Sequence, residues 1–151
     1  MANDNIHSDF LKICRENGWK CTPQRLAIYG FLQGNLTHPD VDTVWEAVRG
    51  SLPTITRESV YRILNEFADQ GMIRRLDQID SARYDSRTGF HGHFICRKCG
   101  GIFDFDWSEG IAVPQEAQNG TVDHMEIRLL GVCSKCAATE SGNSCRKISQ
   151  T

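Results

Sequence analysis

Apolar positions in the first half of the chain recur with a helical period. In "NIHSDFLKICREN" (5–17), Ile6, Phe10, Ile13 and Cys14 share one face and Gly18 follows as a stop, which predicts a short amphipathic helix. "CTPQRLAIYGFLQGN" (21–35) predicts a second helix, with Thr22 as cap, Pro23 at the first position, Leu26, Ala27, Phe31 and Leu32 inward, and an end near Gly34. "VDTVWEAVRG" (41–50) predicts a third, with Val41, Val44, Trp45 and Val48 on one stripe and Gly50 as C-cap. The fourth pattern is the clearest. Thr56 caps it, Val60, Ile63, Leu64, Phe67 and Ala68 form its apolar face, Arg57, Ser59, Arg62 and Asn65 face solvent, and Gly71 closes it. The spacing then changes. "MIRRLDQIDSARYD" (72–85) reads as a hairpin, with Met72, Ile73 and Leu76 before a turn around Asp80 and Ser81, and Tyr84 after it. Helices followed by a hairpin predict a winged helix-turn-helix over residues 1–85.

Residues 86–90, "SRTGF", are short, polar and glycine-containing, as a hinge requires. Beyond them strands are predicted. "GHFIC" and "GIFDFDW" pair around a tight knuckle at Lys98 to Gly101, "SEGIAVPQEAQNG" is a weak helix interrupted by Pro114, and "TVDHMEIRLLGVC" alternates as a long strand. Residues 91–138 are thus a second domain, and 139–151 read as a flexible tail. The fold class expected is α+β.

The chain has 151 residues, 40% of them hydrophobic, enough to bury a core in one domain or two small ones. No apolar run approaches the ~20 residues that span a bilayer, and "MANDNIHSDF" lacks the basic start and apolar core of a signal peptide, so a cytoplasmic protein with no membrane partner is expected. Seven cysteines is an odd number, and in a reducing compartment metal binding or free thiols are favoured over a disulfide framework. The net charge of -2 excludes nucleic-acid binding through bulk positive charge. Residues 1–87 alone carry eleven Lys/Arg against twelve Asp/Glu, so any DNA contact must come from a few placed cations.

Cys96, Cys99, Cys133 and Cys136 form two C-x-x-C pairs, each at the end of a predicted strand. Four thiolates suffice to close a tetrahedral zinc site. The 100–132 interval exceeds the usual ribbon gap of about fifteen to twenty residues, but a strand and helix between the pairs return the chain to its start. Redox dithiols and unrelated core cysteines are the competing readings; a redox pair normally opens a helix rather than ending a strand. His91 and His93 are two apart in an extended segment, so both rings leave one face. With Asp85 and Asp104 as nearby carboxylates they make a nitrogen and oxygen donor set suited to iron or manganese, against the alternative of two surface histidines. His38, in the loop before the third helix, is either a loop residue or a further ligand that would tie the two halves together. Cys14 and Cys21 look structural, and Cys145 lies in the tail, although a thiol redox switch built on these three is a further alternative.

On the fourth helix, Ser59, Tyr61 and Arg62 are placed to meet base edges or thymine methyls, while Lys20, Arg25 and Arg57 suit phosphates. The plainer reading of the same helix is a solvated amphipathic surface.

"TPQRLAI" (22–28), "HPD" (38–40), "SVYRILNEFADQGMI" (59–73), "RYD" (83–85), "HGHFICRKCG" (91–100) and "GVCSKC" (131–136) together resemble the ferric-uptake-regulator family, in order over roughly residues 8–136. The resemblance implies an N-terminal winged helix, a small C-terminal α/β dimerisation domain, and a homodimer that represses transcription on palindromic double-stranded operator DNA when loaded with metal. It implies structural Zn2+ on Cys96, Cys99, Cys133 and Cys136, and regulatory Fe2+ or Mn2+ on His38, Asp85, His91, His93 and Asp104. Aspartate at both carboxylate positions is similar to the peroxide-sensing branch, where His38 and His91 match the oxidation-sensitive ligands. A further metal site known in some iron sensors would need partners for His124, but Phe90, Gly92 and Ile111 stand at those positions, so His124 is expected to be packed or hydrogen-bonded. The alternatives to peroxide sensing are an iron- or zinc-sufficiency sensor of the same family and, in another class, a metallohydrolase. The latter is disfavoured by a ligand set shared between two domains with no extra general base, so no enzyme is expected.

Overall fold

A computed structural model of the chain describes residues 2–77, 81–107, 114–117 and 119–139. The chain divides into two compact units, Met1–Thr88 and Gly89–Thr151.

In the first unit, α1 (Ala2–Glu16), α2 (Pro23–Leu32), α3 (Val41–Val48) and α4 (Arg57–Asp69) precede a hairpin of β1 (Arg74–Leu76) and β2 (Arg83–Asp85). The caps explain the boundaries. The hydroxyls of Thr22 and Thr56 accept the backbone N–H of Arg25 and Ser59, and the Asp40 carboxylate accepts that of Thr43, so each helix satisfies an otherwise orphaned donor. Gly71 ends α4 in the left-handed region at φ 71°, where a side chain would be strained. Gly50 is not a cap: α3 stops one residue sooner, with Arg49 still in right-handed helical geometry. Phe10, Ile28, Leu32, Val44, Val60, Ile63, Leu64, Phe67 and Tyr84 pack into one core. On α2 it is Ile28, with Leu32, that is buried; Leu26, Ala27 and Phe31 are only partly covered, so the inward face is rotated from the one expected. The hairpin is antiparallel with Arg75 opposite Tyr84; of its expected turn, Asp80 lies outside the described residues.

The second unit contains β3 (Gly92–Cys96), β4 (Ile102–Phe105), a 3-10 turn (Gln115–Ala117), β5 (Ile127–Gly131) and α5 (Ser134–Ala138). Its sheet runs β4-β3-β5, with β4 antiparallel and β5 parallel to β3. The long strand expected over 121–133 is short. Residues 121–126 lack strand pairing, and the first part of the expected helix over 108–120, with Ile111, lies outside the described residues, as do tail residues 140–151 with Cys145. The buried cluster here consists of Cys96, Cys133 and Cys136, with Phe94, Cys99 and Val132 against it. A core made of thiols is a weak hydrophobic core. On β5, Leu129 is 47% and Leu130 75% exposed, an apolar surface on an outer strand. Among the described residues no helix is long and apolar enough to cross a membrane.

Candidate metal centres and nucleic-acid face

The first C-x-x-C pair sits at the knuckle between β3 and β4, where Gly100 turns the chain at φ 69° and its N–H donates to the Cys96 carbonyl at 2.8 Å. The second pair follows β5. Contrary to the expectation that it merely ends a strand, Cys133 is the N-cap of α5, its sulfur accepting the Cys136 N–H at 3.4 Å. Helix opening is a geometry that redox dithiols also use, so the distinction rests on the sulfurs themselves. Parallel pairing places Cys96 beside Gly131, and all four sulfurs lie within 4.8 Å of one another. Cys99 Sγ and Cys133 Sγ are 3.9 Å apart. That is far from a disulfide and close to the edge of ~3.8 Å of a tetrahedron of sulfurs bound to zinc at ~2.3 Å.

Burial pushes the Cys96 thiol up, but the backbone N–H groups of Cys133, Cys99 and Lys98 outweigh it and bring the pKa down to about 6. The Cys133 N–H contact is 3.3 Å. Burial raises the Cys99 thiol, with the Cys96 and Cys133 sulfurs adding to it. The backbone N–H groups thus favour the Cys96 thiolate, while burial disfavours that of Cys99. The donor chemistry fits zinc.

The nitrogen and oxygen donors occur in two groups, one in each unit. In the first, the residue preceding Pro39 is His38, whose φ of 51° is the one positive value at a non-glycine residue among those described. Strain of this kind persists only where the surroundings impose it. Here Arg83 Nη1 donates to the His38 carbonyl at 3.2 Å, and the Tyr84 N–H donates to Pro39 O at 3.0 Å. Both bonds pin the His38 loop to β2, whose next residue is Asp85. His38 Nε2 lies 3.8 Å from Asp85 Oδ1, both side chains buried. Asp85 Oδ1 also accepts the Arg87 N–H at 2.8 Å.

In the second unit, register pairs His93 with Asp104 across β3 and β4. His93 Nε2 is 3.5 Å and His91 Nε2 3.7 Å from Asp104 Oδ1, and the two imidazoles are 4.5 Å apart between centroids. His91 Nδ1 is 2.7 Å from the Gly89 carbonyl and must donate to it, which turns the Nε2 lone pair toward Asp104. A Cβ on Gly92 between them would run into the Phe105 ring opposite, so a side chain there would have to displace that ring. All of these nitrogen to carboxylate spacings exceed hydrogen-bond length, yet they match the ~3.0–4.2 Å between atoms that share one ion at ~2.1 Å.

The candidate DNA residues have different settings. Ser59, Tyr61, Arg57 and Arg62 lie on the first two turns of α4, Tyr61 46% exposed. Arg57 pairs with Asp42 at 2.9 Å and stands over the Trp45 ring, which Arg49 also covers. Lys20 is exposed. Arg25 is held at 2.7 Å by Glu66, while Arg62 reaches the same carboxylate at 3.1 Å. Glu66 and Arg83 were not singled out in the sequence, and Gly92 was noted there only as a position without a metal ligand. The Arg62–Glu66 spacing of four residues was the available signal for the first, whereas the contacts of Arg25 and Arg83 span more than forty residues. His124 is exposed rather than packed, because residues 121–126 stand outside the sheet; Phe90 is also exposed.

The ferric uptake regulator family model matches residues 16–129. The chain is 35% identical to the peroxide operon regulator of Bacillus subtilis (strain 168) over 135 residues, covering 87% of this chain and 93% of that protein. It is 38% identical to the peroxide-responsive repressor PerR of Staphylococcus epidermidis over 133 residues, covering 85% and 87%. Among solved structures, the Campylobacter jejuni peroxide stress regulator superposes with a TM-score of 0.61 at 26% identity, covering 83% of this chain and 98% of that one.

Proposed function

Because the chain belongs to the ferric uptake regulator family, we propose that it is a cytoplasmic, metal-dependent transcriptional repressor that binds palindromic operator DNA as a homodimer and releases it when peroxide oxidises a ligand histidine. The observation carrying this reading is the presence of two chemically distinct donor sets, each at metal rather than hydrogen-bond spacing.

Zinc belongs on Cys96, Cys99, Cys133 and Cys136, where it completes the core of the second unit. The regulatory ion, Fe2+ or Mn2+, belongs on His38, Asp85, His91, His93 and Asp104. Ligands drawn from both units make their arrangement dependent on loading, and in a symmetric dimer that arrangement sets the distance between the two α4 helices. A shift from 1% to 99% of the binding-competent form takes ~5.5 kcal/mol, which five ligands supply and one surface ion pair does not. The exposed Leu129 and Leu130 of β5 offer the apolar surface that a second copy covers. When bound, ferrous iron supplies the one-electron chemistry that converts peroxide into an oxidant. His38 or His91 would be the side chain that takes up the oxygen, and its modification would remove a ligand from the set.

An anaerobic DNA-binding titration with Fe2+, Mn2+ and Zn2+ in separate samples, repeated after peroxide, tests this. Loss of binding in the iron sample alone supports peroxide sensing. Equal resistance in all three replaces it with a metal-sufficiency sensor.

A further inference from the structure

Glu66 lies one turn beyond Arg62 on α4. Its Oε1 accepts Arg62 Nη1 at 3.1 Å, and its Oε2 accepts Arg25 Nη2, from the first turn of α2, at 2.7 Å. The two arginines are not equivalent. The Arg25 side chain is only 16% exposed, against 60% for Arg62. Arg25 also donates to the Lys20 carbonyl at 3.0 Å, and its guanidinium stands 5.3 Å from the centre of the Trp19 ring, which itself stacks on Phe67 of the core.

We propose that Glu66 is a specificity-determining residue of the DNA-binding face, and that Arg25 is its built-in counterion rather than a phosphate contact. The inference rests on the DNA-binding reading of α4 given above.

The exposed i,i+4 pair between Glu66 and Arg62 is weak and screened, so a bidentate contact with a guanine edge outweighs it. A single phosphate offers Arg62 little more than the carboxylate it already has. Glu66 therefore lets Arg62 go to the correct base edge and holds it back from arbitrary backbone. Once Arg62 has left, an uncompensated carboxylate on this face would repel the phosphates. Arg25, fixed by a carbonyl and an indole, stays behind and neutralises it. The effect matters because residues 1–87 carry no cation surplus, eleven Lys/Arg against twelve Asp/Glu, so one guanidinium is a large share of the attraction.

The test uses the metal-loaded full-length protein, a duplex that it selects from a random library, and a scrambled duplex of the same base composition, with affinity measured against salt concentration. E66Q is expected to raise affinity for the scrambled duplex about tenfold and steepen its log K against log[salt] slope by about one, with a smaller gain on the selected duplex, so that discrimination falls. R25Q is expected to weaken binding to both duplexes. The double variant R25Q/E66Q leaves no unpaired charge in the fold, so it serves if E66Q fails to fold. It is expected to bind at least as well as the wild type with the same loss of discrimination. A double variant as weak as R25Q makes Arg25 a phosphate contact and overturns the counterion role. Unchanged discrimination in folded E66Q overturns the role of Glu66 while leaving the DNA-binding reading intact. A wild type that prefers no duplex ends both.

Discussion

The two donor sets differ in chemistry and in how the chain distributes them. The four sulfurs all belong to the second unit, where Cys96, Cys133 and Cys136 are also its buried core. The nitrogen and oxygen donors are divided: His38 and Asp85 belong to the first unit, and His91, His93 and Asp104 to the second. A set inside one unit acts on that unit's stability. A divided set, loaded as proposed, would act on the relation between units, while the thirteen buried residues of the first unit's core include no member of either set. On the proposed reading, a handful of ligands at ion spacing would serve permanence in one place and reversibility in the other.

Breaking the sulfur set should have the largest effect. Structural zinc in small domains contributes apparent free energies of ~10–16 kcal/mol, as much as a whole domain's stability. Cys136→Ser is therefore expected to lose bound zinc and the ordered second unit, seen in metal content and far-UV circular dichroism, while the first unit stays helical; a zinc-loaded, folded C136S protein would mean that the sulfur set does not hold the second unit together. Next comes His38→Ala. It should leave zinc content at the wild-type level and cut the metal-dependent gain in DNA affinity by about a hundredfold or more, as read by fluorescence anisotropy. Gly92→Ala places a methyl in the Phe105 ring and should lower the melting temperature through a cost of ~1–3 kcal/mol, reaching the His93 and Asp104 pair without touching a ligand. Thr56→Ala removes the cap of α4 and should cost ~1 kcal/mol in a denaturant titration, with zinc content unchanged.

The smallest effect sharpens the picture of the sulfur site. The Cys96 thiol is depressed to about 6, so its anion is stabilised by the fold above that pH and lost as pH falls through it. Zinc should therefore stay on the folded protein against a competing chelator at about pH 7.5 and be lost increasingly as pH falls through about 6, by metal content after gel filtration. Retention that does not change across that range would mean that the backbone N–H groups do not stabilise the thiolate.

Much of this molecule was determined locally and could be read from residues close in sequence. Thr22 and Thr56 cap their helices because a hydroxyl reaches an N–H three residues on, and the stripe of Val60, Ile63, Leu64 and Phe67 follows from helical period alone. The C-x-x-C pairs and the H-G-H segment announced their chemistry in the same way, by residue type and short spacing. Tertiary structure decided what spans long separations: the parallel docking of β5 on β3, the left-handed His38 held by Arg83 and Tyr84, and the capture of Arg25 by Glu66. It also curtailed what pattern alone overstated. Residues 121–126 alternate well enough for a strand yet lack a pairing partner, and His124 is left in solvent. The physical division is one of range: capping and periodicity act within a turn or two of chain, whereas strand pairing and the choice of counterion are settled only when segments forty residues apart compete for the same neighbour.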